Sequence, residues 1–170
     1  MRVYIPATFD MLHQLSEAQE MPIRMGYGFA VTPALLGSFN EGDAEEIDYF
    51  AFNDASLASL RLLTIGQDSH FPLRRVVITA EIPDSRLSFD PELTESLVRI
   101  DGNLKYSDII AFHVDTAEGE TFVEKALPLL DRAEIGDEDA QLTVGDALDQ
   151  LLAWFDSTEL GLLTLDSLDV

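Results

Sequence analysis

The residues with the most chemical capacity fall on alternate positions of four short extended stretches. Arg2 and Tyr4 lie in Arg2-Val-Tyr-Ile5, and Arg75 and Thr79 in Arg75-Val-Val-Ile-Thr-Ala-Glu-Ile82. Arg99 lies in Leu97-Val-Arg-Ile-Asp101, and His113 in Ile109-Ile-Ala-Phe-His-Val-Asp115. Side chains alternate across a strand, so a shared sheet would bring these polar residues to one face. Arginine presents a planar fork of donors that suits carboxylates and other small anions. Arg2, Tyr4, Arg75, Arg99 and His113 are therefore the candidate ligand-binding residues, with a small anion as the ligand. Two other uses compete. The bases can pair across strands with Glu81, Asp101 and Asp115, or the face can be a dimer contact with Arg, Tyr and His at its rim.

No stronger chemical signature stands elsewhere. The three histidines, His13, His70 and His113, have no metal-ligand spacing and no HExxH pattern. Asp43/Glu45/Glu46/Asp48 and Asp137/Glu138/Asp139 are acidic enough to attract Ca²⁺ or Mg²⁺. Their simpler use is at helix starts, where carboxylates meet the positive end of the helix dipole. The loop from Asp137 has Leu142 where an EF-hand needs glycine. No GxSxG, P-loop or GxGxxG stretch is present, and Gly26-Tyr27-Gly28 reads as a turn entering a strand. The chain has no cysteine, which removes thiol nucleophiles, disulfides and zinc-thiolate sites. No catalytic residue, metal or cofactor is assigned, and the reading leans away from an enzyme.

The elements that would position these residues follow from periodicity. Residues 2–5 form a strand stopped by Pro6. Thr8 caps a helix running to about Glu20, with Leu12 and Leu15 inward. Residues 27–31 form a second strand, and Thr32-Pro33 starts a short helix. Asp43 starts a longer one, with Ile47, Phe50, Ala51, Asp54, Leu57, Ala58, Arg61, Leu62 and Ile65, most of them apolar, at helical spacing and Gly66 at its end. Strands follow at 75–82, 97–101 and 109–115. In the last, Ile110, Phe112 and Val114 oppose Ile109, Ala111, His113 and Asp115. Pro128 divides a helical stretch over 117–133. After the acidic turn at 136–139, Val144, Leu148, Leu151, Leu152 and Phe155 mark an amphipathic helix. Strands with one apolar and one polar face imply a sheet covered on one side. The predicted fold is α+β: a two-layer sandwich with a mixed or antiparallel sheet of four to five strands, packed on one face by helices. Residues 1–159 form a single domain, and 160–170 an apolar, acidic tail.

The net charge is −22, from 32 acids and ten bases. Residues 115–170 hold 15 acids and two bases, whereas 72–105 hold six acids and five bases. Such a field repels phosphate backbones and anionic lipid, which argues against direct nucleic-acid or membrane partners, and it suits a basic protein partner. The first residues contain no signal-peptide core, and no run approaches the ~18 apolar residues of a membrane span. The expected location is cytoplasmic.

Arg2-Val-Tyr-Ile-Pro-Ala-Thr8, Phe29-Ala-Val-Thr-Pro-Ala-Leu35, the Glu46–Leu62 helix and Gly136-Asp-Glu-Asp-Ala140 before a Trp-bearing helix resemble a family of small acidic actinobacterial proteins without assigned activity. The resemblance spans most of residues 1–159. It implies a cytoplasmic single domain and transfers no catalytic residue. The sequence supports three readings. The first is a non-enzymatic interaction module, self-associating as a homodimer through the polar sheet face or the apolar tail. The second is an enzyme or sensor that binds a small anion on the polar sheet face. The third is an acidic regulator of a basic or nucleic-acid-binding protein.

Overall fold

A computed structural model describes residues 1–39 and 43–163. The chain runs β1 (Arg2–Ala7), α1 (Phe9–Ala18), β2 (Glu20–Met21), β3 (Tyr27–Phe29), α2 (Pro33–Ser38), α3 (Ala44–Ile65) and β4 (Val76–Glu81). It continues through β5 (Leu87–Phe89), β6 (Leu97–Ile100), β7 (Leu104–Lys105), β8 (Ile109–Val114), α4 (Ala117–Ala126), α5 (Leu130–Glu134), α6 (Glu138–Leu148) and β9 (Ala153–Asp156). Among the described residues, seven strands form one sheet in the order β5-β6-β3-β1-β4-β8-β9, with every pair antiparallel. β2 and β7 form a separate small ribbon. The fold is α+β, and the sheet is larger than the four to five strands expected, because β5 and β9, three and four residues long, are too short to carry a periodic signal.

Both faces of the sheet carry helices, where the sequence suggested one. Val3, Ile5 and Ala7 of β1 join Ile78 and Ala80 of β4 and Phe112 of β8 in a core closed by Phe9, Leu12 and Leu15 of α1. Leu160 and Leu163, in the segment read as a tail, are buried in the same core, and 164–170 lie outside the described residues. On the opposite face, Tyr4, Phe29, Val77 and Leu97 meet Ile47, Ala51, Ala55 and Ala58 of α3. The alanines let the α3 backbone approach the strands closely. Ser59 fixes that approach: its hydroxyl donates to the Ala7 carbonyl at 2.8 Å and accepts from the Val76 amide at 3.0 Å.

Two boundaries differ from expectation. β1 continues through Pro6 to Ala7. The Met1 carbonyl accepts from Ile82 beyond the end of β4, so alternate residues of β1 turn their backbone groups toward β4 and Pro6 turns away from it. On that other side, β1 pairs with β3 at Tyr4 and Phe29, so no ladder bond is required of Pro6. The final helix ends at Leu148, and Ala153–Asp156 becomes an edge strand beside β8. Trp and Phe favour extended backbone, and pairing with β8 outweighs the helical spacing of Leu151, Leu152 and Phe155.

A buried ion pair joins these layers. Arg75, at 0% exposure, donates from Nε to Asp115 Oδ2 at 2.8 Å and from Nη2 to Asp115 Oδ1 at 2.6 Å. Its backbone amide also donates to Asp115 Oδ2, its Nη1 to Ser56 Oγ on α3, and its Nη2 to the Gln150 carbonyl before β9. Gly119 of α4 lies against this carboxylate, and a Cβ there would stand 2.7 Å from Asp115 Oδ1. Removing one partner of such a pair strands a buried charge and costs about 3–5 kcal/mol. Arg75→Met and Asp115→Ala should each lose about that much stability in urea unfolding. Gly119→Ala should lose about 1–3 kcal/mol by overpacking. Gly145→Ala, in open space within α6, should be neutral or stabilising. A Gly119→Ala protein as stable as the wild type would contradict this packing.

Candidate functional site

On the second face of the sheet, the alanines of α3 lie directly over the strands. Toward the start of the helix, Glu45, Asp48, Tyr49 and Phe52 face the strands at i, i+3, i+4 and i+7, one side of its first turns. Between them and the sheet lies an open cavity of about 440 Å³. Its floor is Arg2 and Tyr4 of β1, Thr79 of β4, Ile110, Ala111 and His113 of β8, and Trp154 of β9.

Register explains the floor. Tyr4 stands opposite Thr79, Thr79 opposite Ala111, and His113 opposite Trp154. Side chains directly opposite share a face and lie in contact range. The pairing shifts between Thr79 and Ala80, whose partner is Ile109, so Ile110 is an inserted residue in β8. This bulge breaks the alternation read from sequence. Ile109 joins the core with Phe112 and Val114, and Ile110 turns onto the cavity side, 38% exposed. Bulges commonly re-aim side chains beside functional sites.

The polar groups are tied to the walls. The Tyr4 hydroxyl donates to Asp48 Oδ2 at 2.6 Å, and burial, reinforced by this carboxylate, raises the phenol well above its ordinary pKa. Thr79 Oγ1 lies 3.0 Å from His113 Nε2. Phe52 packs edge-on against both Tyr4 and His113, with centroids 5.4 and 4.9 Å away. Burial lowers the His113 pKa from 6.5 to about 4, so the imidazole is neutral at physiological pH. A hydroxyl beside an imidazole has the outline of a nucleophile and its base. Thr79 is buried, however, and His113 Nδ1 has no hydrogen-bond partner among the described residues to orient the ring.

Arg2, Tyr4 and His113 come together here, and the other two sequence candidates lie elsewhere. Arg75 is committed to Asp115, and Arg99 pairs with Asp90 at 2.8 Å near the far edge of the sheet. The sequence reading missed Tyr49, Phe52, Ile110 and Trp154, and it assigned Glu45 and Asp48 to a helix start. The 45/48/49/52 spacing places these residues on one side of α3, but the adjacent stripe of Ile47, Ala51, Ala55 and Ala58 carries the stronger apolar period. Phe50, read as inward, is 47% exposed. The acidic helix starts are occupied locally: Asp43 accepts from the Glu45 amide, and Asp137 from the Ala140 amide. No helix among the described residues is long and apolar enough to cross a membrane.

Protonating His113 in the folded state costs free energy, so its contribution to stability is complete above about pH 6.5. That contribution falls as the pH drops toward about 4, because the unfolded chain takes up the proton first. The loss is up to about 3 kcal/mol. His113→Asn should therefore narrow the difference in unfolding free energy between pH 7 and the region near pH 4. Parallel pH profiles for variant and wild type would refute a buried neutral imidazole.

A family model matches residues 1–164, and the chain belongs to that family, described as a family of unknown function (DUF6912). No curated protein and no solved structure matched the chain.

Proposed function

We propose that this chain is a non-enzymatic binding module that takes a small organic ligand in the cavity between α3 and the strands β1, β4, β8 and β9. One observation carries the reading. Tyr49 and Trp154 are 58% and 60% exposed at the cavity, beside the half-buried Phe52. Large aromatic rings left in water around a concavity are a usual mark of a ligand site. The volume is also in the range of small-molecule sites. Arg2, Tyr4 and His113 remain ligand-contacting residues in this proposal, and Thr79 joins them. Arg75 and Arg99 are left out because their guanidinium groups serve internal ion pairs. The module acts in the cytoplasm of an actinobacterial cell, in keeping with the motifs around Arg2–Thr8 and Phe29–Leu35.

Trp154 is the single tryptophan of the chain, so its fluorescence reports on this cavity directly. Screening a metabolite panel by Trp154 emission and by thermal melting should find at least one compound that changes both. Ile110→Arg, which places a bulky charge in the cavity, should abolish the response and leave the unliganded melting temperature nearly unchanged. A panel with no response, or an undiminished response in Ile110→Arg, would refute the site.

A second reading, self-association, is favoured by Ile135 and Leu142, which follow α5 and lie on α6 at 86% and 69% exposure. Light scattering on a sizing column should then give a dimer mass that reverts to monomer in Leu142→Glu. A monomer at every concentration would exclude it.

A further inference from the structure

The chemistry of the cavity walls narrows the class of ligand. Four lining residues are ionisable: Arg2, Glu45, Asp48 and His113. His113 is neutral, held so by burial. Two carboxylates therefore face one guanidinium, which is exposed and within hydrogen-bonding reach of the Tyr4 hydroxyl, while Glu81, opposite Arg2 in register, pairs with the Met1 amino group. The cavity is thus net negative, within a molecule of net charge −22. The remaining lining is aromatic. Tyr49, Phe52 and Trp154 stand with Tyr4, whose own hydroxyl is turned to Asp48. Aromatic faces attract cations through the ring quadrupole, most strongly for tryptophan, and a cluster of rings suits alkylated ammonium groups whose charge is spread and weakly hydrated. The positive end of α3 opposes a cation here, but Asp43 already answers it by capping the helix.

We infer that the cavity recognises an organic ammonium group, with Tyr49, Phe52 and Trp154 contacting its alkyl surface and Glu45 and Asp48 balancing its charge. This rests on the ligand-binding reading above and reverses the anion preference drawn from the sequence. For an anion the cavity offers Arg2 alone, opposed by two carboxylates, because Arg75 and Arg99 are engaged elsewhere. A neutral aromatic ligand would gain nothing from two carboxylates. The ammonium can belong to a free metabolite or to a methylated lysine side chain. The recognising chemistry is the same for both.

The test uses the full chain and Trp154 fluorescence. Choline is compared with 3,3-dimethylbutan-1-ol, its uncharged isostere, and with a trimethyl-lysine peptide. Choline should bind at least about tenfold more tightly than the alcohol, since about 1.4 kcal/mol of cation attraction gives that factor. Added salt should weaken it. Glu45→Gln should weaken choline binding several-fold, and Arg2→Gln should tighten it. Circular dichroism confirms that both variants are folded. A peptide that binds more tightly than choline would assign the ammonium to a protein partner, and the reverse order to a metabolite. Equal binding of choline and the alcohol would overturn the cation assignment but leave the ligand site standing. So would a carboxylate ligand lost in Arg2→Gln. If neither the cations nor any panel compound binds, both the cation assignment and the site fall.

Discussion

The Arg75–Asp115 pair is the constraint on which the rest of the molecule depends. A guanidinium and a carboxylate are removed from water together, which is tolerable only when nearly every donor and lone pair is matched. Here the matching groups come from β4, the end of β8, Ser56 on α3 and the Gln150 carbonyl ahead of β9. One ion pair thus sets the position of α3 over the sheet and the point at which the chain leaves α6 to become an edge strand. Gly119 belongs to the same unit, because α4 can begin beside Asp115 only without a side chain at that position.

The cavity follows from this arrangement. α3 is held to the strands at Ser56 and Ser59, and its alanines close the gap beside them. Nearer its start, the residues facing the sheet are Glu45, Asp48, Tyr49 and Phe52, and space remains beneath them. The bulge at Ile110 and the edge position of Trp154 complete the floor with apolar surface. A polar sheet face that read as an open surface is in fact a partly roofed concavity. Its chemistry is correspondingly different, with aromatic rings and carboxylates outnumbering the cation.

The parts of this fold that were legible in sequence are those set by local periodicity. β4 and α3 repeat their apolar residues at the spacing of strand and helix, and the Thr32-Pro33 and Asp43 helix starts carry their caps in the sequence itself. What was hidden depends on partners distant in the chain. β9 is too short to carry a periodic signal and is a strand because β8 offers it an edge. The bulge at Ile110 is invisible to a period-two reading, which put Ile110 in the core and Ile109 outside it. Arg75 was grouped with the binding residues because alternation assigns a face without showing what occupies it. Asp115, already noted as a cross-strand partner, takes Arg75 out of that group. Tyr4 and His113 were found because the alternation holds around each of them: β1 is regular, and the bulge at Ile110 lies on the other side of Ala111 from His113.

The central claim is that the cavity beneath α3 holds an alkylated ammonium ion, and intermolecular NOEs test it most directly. With tetramethylammonium added to the isotope-labelled chain, its methyl protons should show cross-peaks to the Trp154 indole and the Ile110 methyl groups. Cross-peaks instead to Leu57, Val144 and Leu148, which line a separate apolar groove between α3 and α6, would contradict the account. So would a saturating titration that leaves Trp154 and Ile110 unperturbed.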